Sequence, residues 1–436
     1  MKKSYILFFI VFLFIFIISS FGFSKAEPII RIGIKLNTSS VSIFSKSGFS
    51  VYDSHGLILA TKDPNIFQFK FVNGAISFLS YRKNRIKVVP NGGIIKVGNR
   101  TYRGYIELYP SIKSGMNVVN VLPLEDYLKG VIRMEISEKW PVNAIKSQAI
   151  IARTFALYNW NKHKKEGFNL CATTHCQLYG GVTHESFITN RAVDETRGLI
   201  LTYKGKPIDS VYHSASGGYT EDSEYVWGKY IPYLRAVKSD FEHPTKNIDW
   251  EFQIDGKTLG KKVYKWYKKD IGDVYDIVID KLSPHGRIYK LSLLGRKGRI
   301  SLKGTNFRFL VGVGKLKSTF FSIEKLSGKK KIMVIKRIDS DTSITQKFQE
   351  KDDWTMEELI ALLKEDMNQK NKEVKIVKEE KEVDTGNAIF LFKGRGLGHG
   401  VGLSQWGAKA LAEMGYNYKD ILKYYYHNVK LVRLYR

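Results

Sequence analysis

The chain has 436 residues, 43% of them hydrophobic, and carries 70 Lys and Arg against 42 Asp and Glu for a net charge of +28. Length and apolar content are those of a globular chain with a sizeable core, in more than one domain or in one domain with insertions. The basic excess narrows the partners to nucleic acid, anionic membrane or anionic cell-wall polymer.

Lys2 and Lys3 precede an almost unbroken apolar run from Tyr5 to Phe23, about the ~20 residues that span a bilayer. Residues 1–26 therefore read as an export signal or an N-terminal membrane anchor, with a small-x-small cleavage site at Ser24-Lys25-Ala26. Either reading places the bulk of the chain outside the cytoplasm, at the membrane or secreted to the wall, and argues against nucleic acid. Two cysteines in an exported chain do not make a disulfide framework.

Residues 27–121 read as a β-rich module, because Ile29–Leu36 and Tyr105–Tyr109 alternate and Gly, Asn, Asp and Pro separate short runs. A helix follows, with Leu124, Tyr127, Leu128, Val131 and Ile132 on one face. Trp140-Pro141 opens a second helix, in which Ile145, Ala149, Ala152 and Ala156 form a small-residue stripe for close packing. Between them lies the polar stretch Arg133–Lys139, which sets Glu135 in a break between two packed helices. That position suits a general acid, although Glu125, Asp126 and Glu138 compete for the role and each is also a candidate solvated charge or cap.

Cys171, His175 and Cys176 follow, soft ligands of the kind zinc takes, with a fourth to come from His163, His184 or His213. A Cys171–Cys176 disulfide is the rival reading. A helix over Phe187–Thr196 ends near Gly198, and Leu199–Tyr203 reads as a strand. His213-Ser-Ala-Ser-Gly-Gly218 is a polar, glycine-ended loop, and Trp227, Tyr230 and Tyr233 are either core or a platform for sugar. Residues 122–325 form the candidate catalytic core, although Trp250–Phe321 shows no constellation of its own.

Residues 326–385 are charge-rich and aromatic-poor, an insertion with one isolated helical pattern at Trp354–Lys364. The closing segment, 386–436, contains Gly394-Arg-Gly-Leu-Gly-His399-Gly-Val-Gly402 and then Ser404-Gln405-Trp406. On an extended chain those glycines would share a face that a ligand or another backbone could approach. The spacing fits neither nucleotide fingerprint. Ser214, Ser216 and Ser404 lack a G-x-S-x-G elbow, which argues against a serine hydrolase. His213 and His399, each in a glycine-lined loop, are substrate-site candidates. The fold class is α+β, a β-rich part and a helical core with a charged insertion before a Gly-rich end.

No second carboxylate can be paired with Glu135. One carboxylate suffices if the sugar's own primary hydroxyl attacks, because proximity replaces the second catalyst and the same Glu acts as acid and then base.

In Leu122–Glu135, Ala144–Phe155, Cys171–Tyr179, His213–Gly218 and Gly396–Ala408, in that order, the chain resembles the SpoIID/LytB family, the stage II sporulation protein D group. The resemblance implies a lytic transglycosylase that cleaves peptidoglycan strands stripped of stem peptides, working with a cell-wall amidase during sporulation engulfment. It implies Glu135 as the catalytic residue and a substrate site that draws on Gln148, Arg153, His213, Ser214, His399 and Gln405, the first two in a supporting part. Some relatives hold zinc near the motif at Cys171, His175 and Cys176, with His163 the nearest fourth ligand here; such a zinc would be structural and not required for the chemistry. The family's glutamate is commonly followed by Met-Pro, whereas Ile136-Ser137 stand here. The alternative on the LytB side is a non-catalytic amidase enhancer or wall-binding scaffold. A metal-dependent hydrolase built on the Cys/His cluster is a third.

Overall fold

Alternating apolar residues build the first half of the molecule. In the computed structural model, which describes residues 26–242, 248–338 and 375–436, strand Ile29–Thr38 buries Ile30 and Ile32. It pairs antiparallel with Met116–Pro123. These are inner strands of a seven-stranded sheet, and a second sheet of six strands packs its apolar face into the same core. The N-terminal apolar run and the helix expected at Trp354–Lys364 lie outside the described residues.

Two helices close that core. Helix α1 (Leu124–Glu135) buries Leu124, Tyr127, Leu128, Val131 and Ile132, the face read from its spacing. It runs one turn further than the sequence pattern suggested, so Glu135 is its last residue and not part of a break. Ile136 follows in extended conformation and is buried, which makes the polar stretch less polar in effect than in composition.

Helix α2 (Val142–Tyr158) is covered on both sides. Ile145, Ala149, Ala152 and Ala156 face the first core, while Ile150 and Ile151 enter another formed with the C-terminal segment. Helices α3 (Phe187–Glu195) and α4 (Ser223–Trp227) follow on the same body. Since the β-rich part and α1–α2 bury one continuous set of side chains, residues 27–121 do not have a core of their own.

Arg153 locks this arrangement. It is fully buried and donates from Nε and Nη2 to the two carboxylate oxygens of Glu125, at 2.8 and 2.7 Å. Tyr435 Oη and Gly198 N also donate to Glu125, at 2.6 and 3.2 Å, so the chain's end is tied to α1. A buried, bidentate and further hydrogen-bonded pair satisfies charges that would be costly if left alone. This corrects the reading of Arg153 as a substrate-site residue: its guanidinium is enclosed and committed. Glu125 is likewise removed as a candidate acid.

Trp250 to Phe321 and Ala388 to Phe392 form a separate core. It contains helices α5 (Gly256–Tyr267) and α6 (Gly304–Val311) and a three-stranded sheet of Val274–Leu282, Ile288–Gly295 and Gly298–Lys303. A second sheet places Lys375–Arg395 between Asp249–Asp255 and Phe321–Ile338. The ends of the charged insertion are therefore paired strands, where composition alone suggested irregular chain. The C-terminal helices α7 (Gln405–Glu413) and α8 (Tyr418–Tyr425) return to the first body against α2. Both helices and strands are plentiful, and the fold class is α+β.

Candidate active site

Glu135 ends α1, where the negative end of the helix dipole disfavours a second negative charge. Three donors from other parts of the chain converge on its carboxylate. Leu178 N donates at 3.2 Å, and the polar side chains of Tyr212 and Gln405 lie beside it and favour its charged form. Burial outweighs these bonds and raises the pKa of Glu135 above the ordinary carboxyl value, while the three donors restrain the rise. Among the described residues no other charged group contributes to that shift, consistent with a site built on one carboxylate.

Each donor is held from behind. Gln405 Nε2 donates to Gln148 Oε1 at 3.4 Å, and Gln148 Nε2 is buried without a partner. Gln177 links Tyr127 and Tyr212, accepting from the first hydroxyl at 3.2 Å and donating to the second at 3.5 Å. Trp140 and Trp406 pack at 5.0 Å between ring centroids, joining the segment after Glu135 to the residue after Gln405. The structure thus brings Glu135, Gln148 and Gln405 together and adds Tyr212 and Gln177, which sequence reading missed. Tyr212 adjoins His213 in a two-residue strand, too short to show any periodicity.

His213 and His399 meet at 5.6 Å between ring centroids. His213 Nδ1 donates to Val401 O at 3.1 Å, and its Nε2 is buried without a partner. His399 Nδ1 accepts from Val401 N at 3.1 Å. Burial keeps both rings neutral, pushing His213 well below the ordinary imidazole range and His399 down to about 4. Ser214 accepts from Trp406 N through its carbonyl. Ser404 caps α7 by accepting from Gly407 N.

The glycine segment is not an extended strand with one bare face. Gly396, Gly398, Gly400 and Gly402 have φ of 81°, 117°, 84° and 71°, a run of left-handed turns. Of the two approaches expected at a bare glycine face, another backbone is the one observed: a Cβ on Gly402 would lie 2.2 Å from Val211 O. The aromatic cluster divides, with Tyr233 buried and Trp227 and Tyr230 at 45% and 61% exposure. Tyr425 and Tyr426 are buried in the core formed with the C-terminal segment.

Beside the site, His163, Cys171, His175 and Cys176 place one ligand atom each within 4.8 Å of one another. Both cysteines are free thiols, not the disulfide. Sγ of Cys176 lies 3.4 Å from His163 Nε2 and 3.7 Å from His175 Nδ1, and Sγ of Cys171 is 3.6 Å from His175 Nδ1. A tetrahedral zinc with ordinary Zn–S and Zn–N bonds separates S and N ligands by about 3.5 Å, so the four groups fit it. Glu166 Oε1 lies 2.9 Å from His163 Nδ1, the outer carboxylate that orients a ligating imidazole. Cys171 is pinned through Gly33 to the large sheet, and the loop leads directly to Gln177 and Leu178.

The fold and site define an α+β protein whose candidate site holds one desolvated carboxylate among neutral donors. The family model for SpoIID, stage II sporulation protein, matches residues 112–203. A protein of Brachyspira hyodysenteriae is 28% identical over 365 residues, covering 81% of this chain and 80% of its own length. The amidase enhancer of Bacillus subtilis is 30% identical over 70% of this chain but only 40% of its own length. Stage II sporulation protein D of Bacillus amyloliquefaciens is 27% identical over 74% of this chain and 78% of its own. Over most of its length the chain is thus similar to the SpoIID family. Among the described residues no helix is long and apolar enough to cross a membrane.

The raised pKa has a consequence for stability. The folded state holds this proton more tightly than the unfolded chain, whose glutamates titrate near ~4.3. The associated stabilisation is present below that value and is lost as pH rises through the folded pKa. Glu135→Gln should therefore melt higher than the parent at pH 7, with the gap shrinking below about pH 4. Thermal unfolding across that range checks it, and a lower melting temperature at pH 7 would contradict it.

Proposed function

We propose that this protein is a peptidoglycan lytic transglycosylase, cutting glycan strands between N-acetylmuramic acid and N-acetylglucosamine with Glu135 as its acid and base. The single observation that carries the reading is the environment of Glu135: burial at a helix C-terminus against three neutral donors. A carboxyl raised in this way retains a proton to give to the glycosidic oxygen as the C1–O bond breaks. The resulting carboxylate is then stabilised by Leu178 N–H, Tyr212 and Gln405, and it takes the proton of the muramyl primary hydroxyl. That oxygen closes on C1 as an anhydro ring, which returns Glu135 to its starting state and consumes no water. Proximity of the hydroxyl within one sugar substitutes for a second catalytic carboxylate.

His163, Cys171, His175 and Cys176 would hold a zinc ion that braces the loop ending in Gln177 and Leu178, and the ion would supply rigidity and no step of the reaction. The basic surface suits an anionic wall at the membrane or beyond it. Stage II sporulation relatives support a role in wall remodelling during engulfment, in partnership with an amidase.

The relative named amidase enhancer favours a second reading, a wall-binding scaffold that acts on an amidase. Mass spectrometry of denuded glycan strands incubated without any amidase separates the two. Anhydro-ended fragments are expected from the parent, with Glu135→Gln lowering their rate by about 10²-fold or more. No cleavage by the parent, with binding intact, would favour the scaffold; reducing ends would mean hydrolysis. For the metal, elemental analysis should find one zinc per chain, and a strong chelator should lower the melting temperature. A metal-free preparation whose melting ignores the chelator would remove the zinc proposal.

A further inference from the structure

Three guanidinium groups gather around the glycine loop that carries His399. Arg287 is only 2% exposed. Its Nη2 donates to Ser216 O and Tyr219 O at 2.5 and 3.1 Å, while Nε and Nη1 have no partner. The group lies against Gly400, where a Cβ would come within 2.6 Å of Cζ. Arg308 donates from Nε to Leu316 O at 2.8 Å, and the adjacent Lys317 accepts from Gly398 N at 2.9 Å. Arg287 thus lies against the loop at Gly400, and the Leu316–Lys317 segment that Arg308 holds meets it at Gly398. Arg395 shares the ring of Phe320 with Arg287, at 4.3 and 5.4 Å.

No carboxylate hydrogen-bonds any of these arginines among the described residues. The acids that act on Arg287 from a distance are already engaged. Glu242 accepts from Ser216 and Ser239, and Glu221 accepts from Ser283 Oγ and Asp222 N. Buried positive charge without a paired acid is costly, and a bidentate oxyanion is the natural complement of a guanidinium. Arg308 is only partly covered, so an anion can reach it from solvent. Trp227, 45% exposed, lies 5.3 Å from the His399 ring and offers a face for stacking. The His399 ring lies beside the backbone of Tyr212, whose side chain lies beside Glu135.

We propose that Arg287 and Arg308, with Trp227 as the stacking face, form a subsite for the free carboxylate of an acidic sugar in the strand that Glu135 cleaves. The proposal rests on the glycan reading above and extends it: the subsite would read the lactyl carboxylate that stem-peptide removal exposes. Arg308 makes the outer contact and Arg287 the buried one.

The test measures binding by full-length protein carrying Glu135→Gln, so that no substrate is consumed. Soluble denuded glycan oligomers are compared with the same oligomers after conversion of their carboxylates to methyl amides. Amidation should weaken binding about tenfold. Arg308→Gln should weaken the carboxylate form by a similar factor and leave the amide form nearly unchanged, with Arg308→Lys retaining part of the preference. Equal affinity of the unmodified pocket for both oligomers would overturn the subsite while leaving the transglycosylase reading in place. Equal weakening of both by Arg308→Gln would show a packing role and overturn it too. Failure to bind either oligomer would remove the glycan reading along with it. Arg308-dependent binding of a polyol-phosphate oligomer, with glycan binding indifferent to amidation, would assign the anion to a phosphodiester and also overturn the proposal.

Discussion

A carboxyl group taken out of water at the wrong end of a helix is the constraint on which this structure turns. Glu135 lies where both burial and the helix dipole oppose its charge. Its three donors come from the loop after Cys176, from the short strand at Tyr212 and from the start of α7. Those segments are separated by tens to hundreds of residues in the chain. Much of the first body serves to bring them to one point: the two-faced α2 joins the sheet core to the C-terminal helices, and the Arg153–Glu125–Tyr435 network ties the chain's end to α1.

The same constraint explains why the Cys/His cluster sits where it does. Gln177 and Leu178 follow Cys176 directly, so any displacement of that loop removes one donor from Glu135 and the support of another. One strand residue, Cys171, fixes the loop to the sheet at its start. The four ligating groups would fix it at its end.

Sequence made the periodic parts of this fold legible. The apolar faces of α1 and α2, the β-rich first part and the end of α3 near Gly198 follow from spacing and from glycine chemistry. Glu135 was found through motif order and its place between two helices, and His163 through proximity to the cysteines. Arg153 was misassigned because a patterned arginine looks the same in sequence whether it meets a ligand or a buried Glu125. Tyr212 and Gln177 left no pattern, since contacts across long sequence separations leave no local period. The glycine segment failed for a different reason: alternating glycines imply freedom of φ, and whether the chain uses it to extend or to turn is decided by what packs against it. The strand ends of the charged insertion were hidden by a composition rich in Lys and Glu, which reads as irregular chain.

The account is tested most directly by the titration of Glu135 itself. In protein labelled with carbon-13 at glutamate side-chain carboxyls, the resonance lost in Glu135→Gln identifies the group, and its midpoint can be followed by NMR. A midpoint clearly above the ordinary ~4.3 of an exposed glutamate is expected. A midpoint at or below that value would contradict the account, since a carboxyl already ionised at low pH has no proton to give.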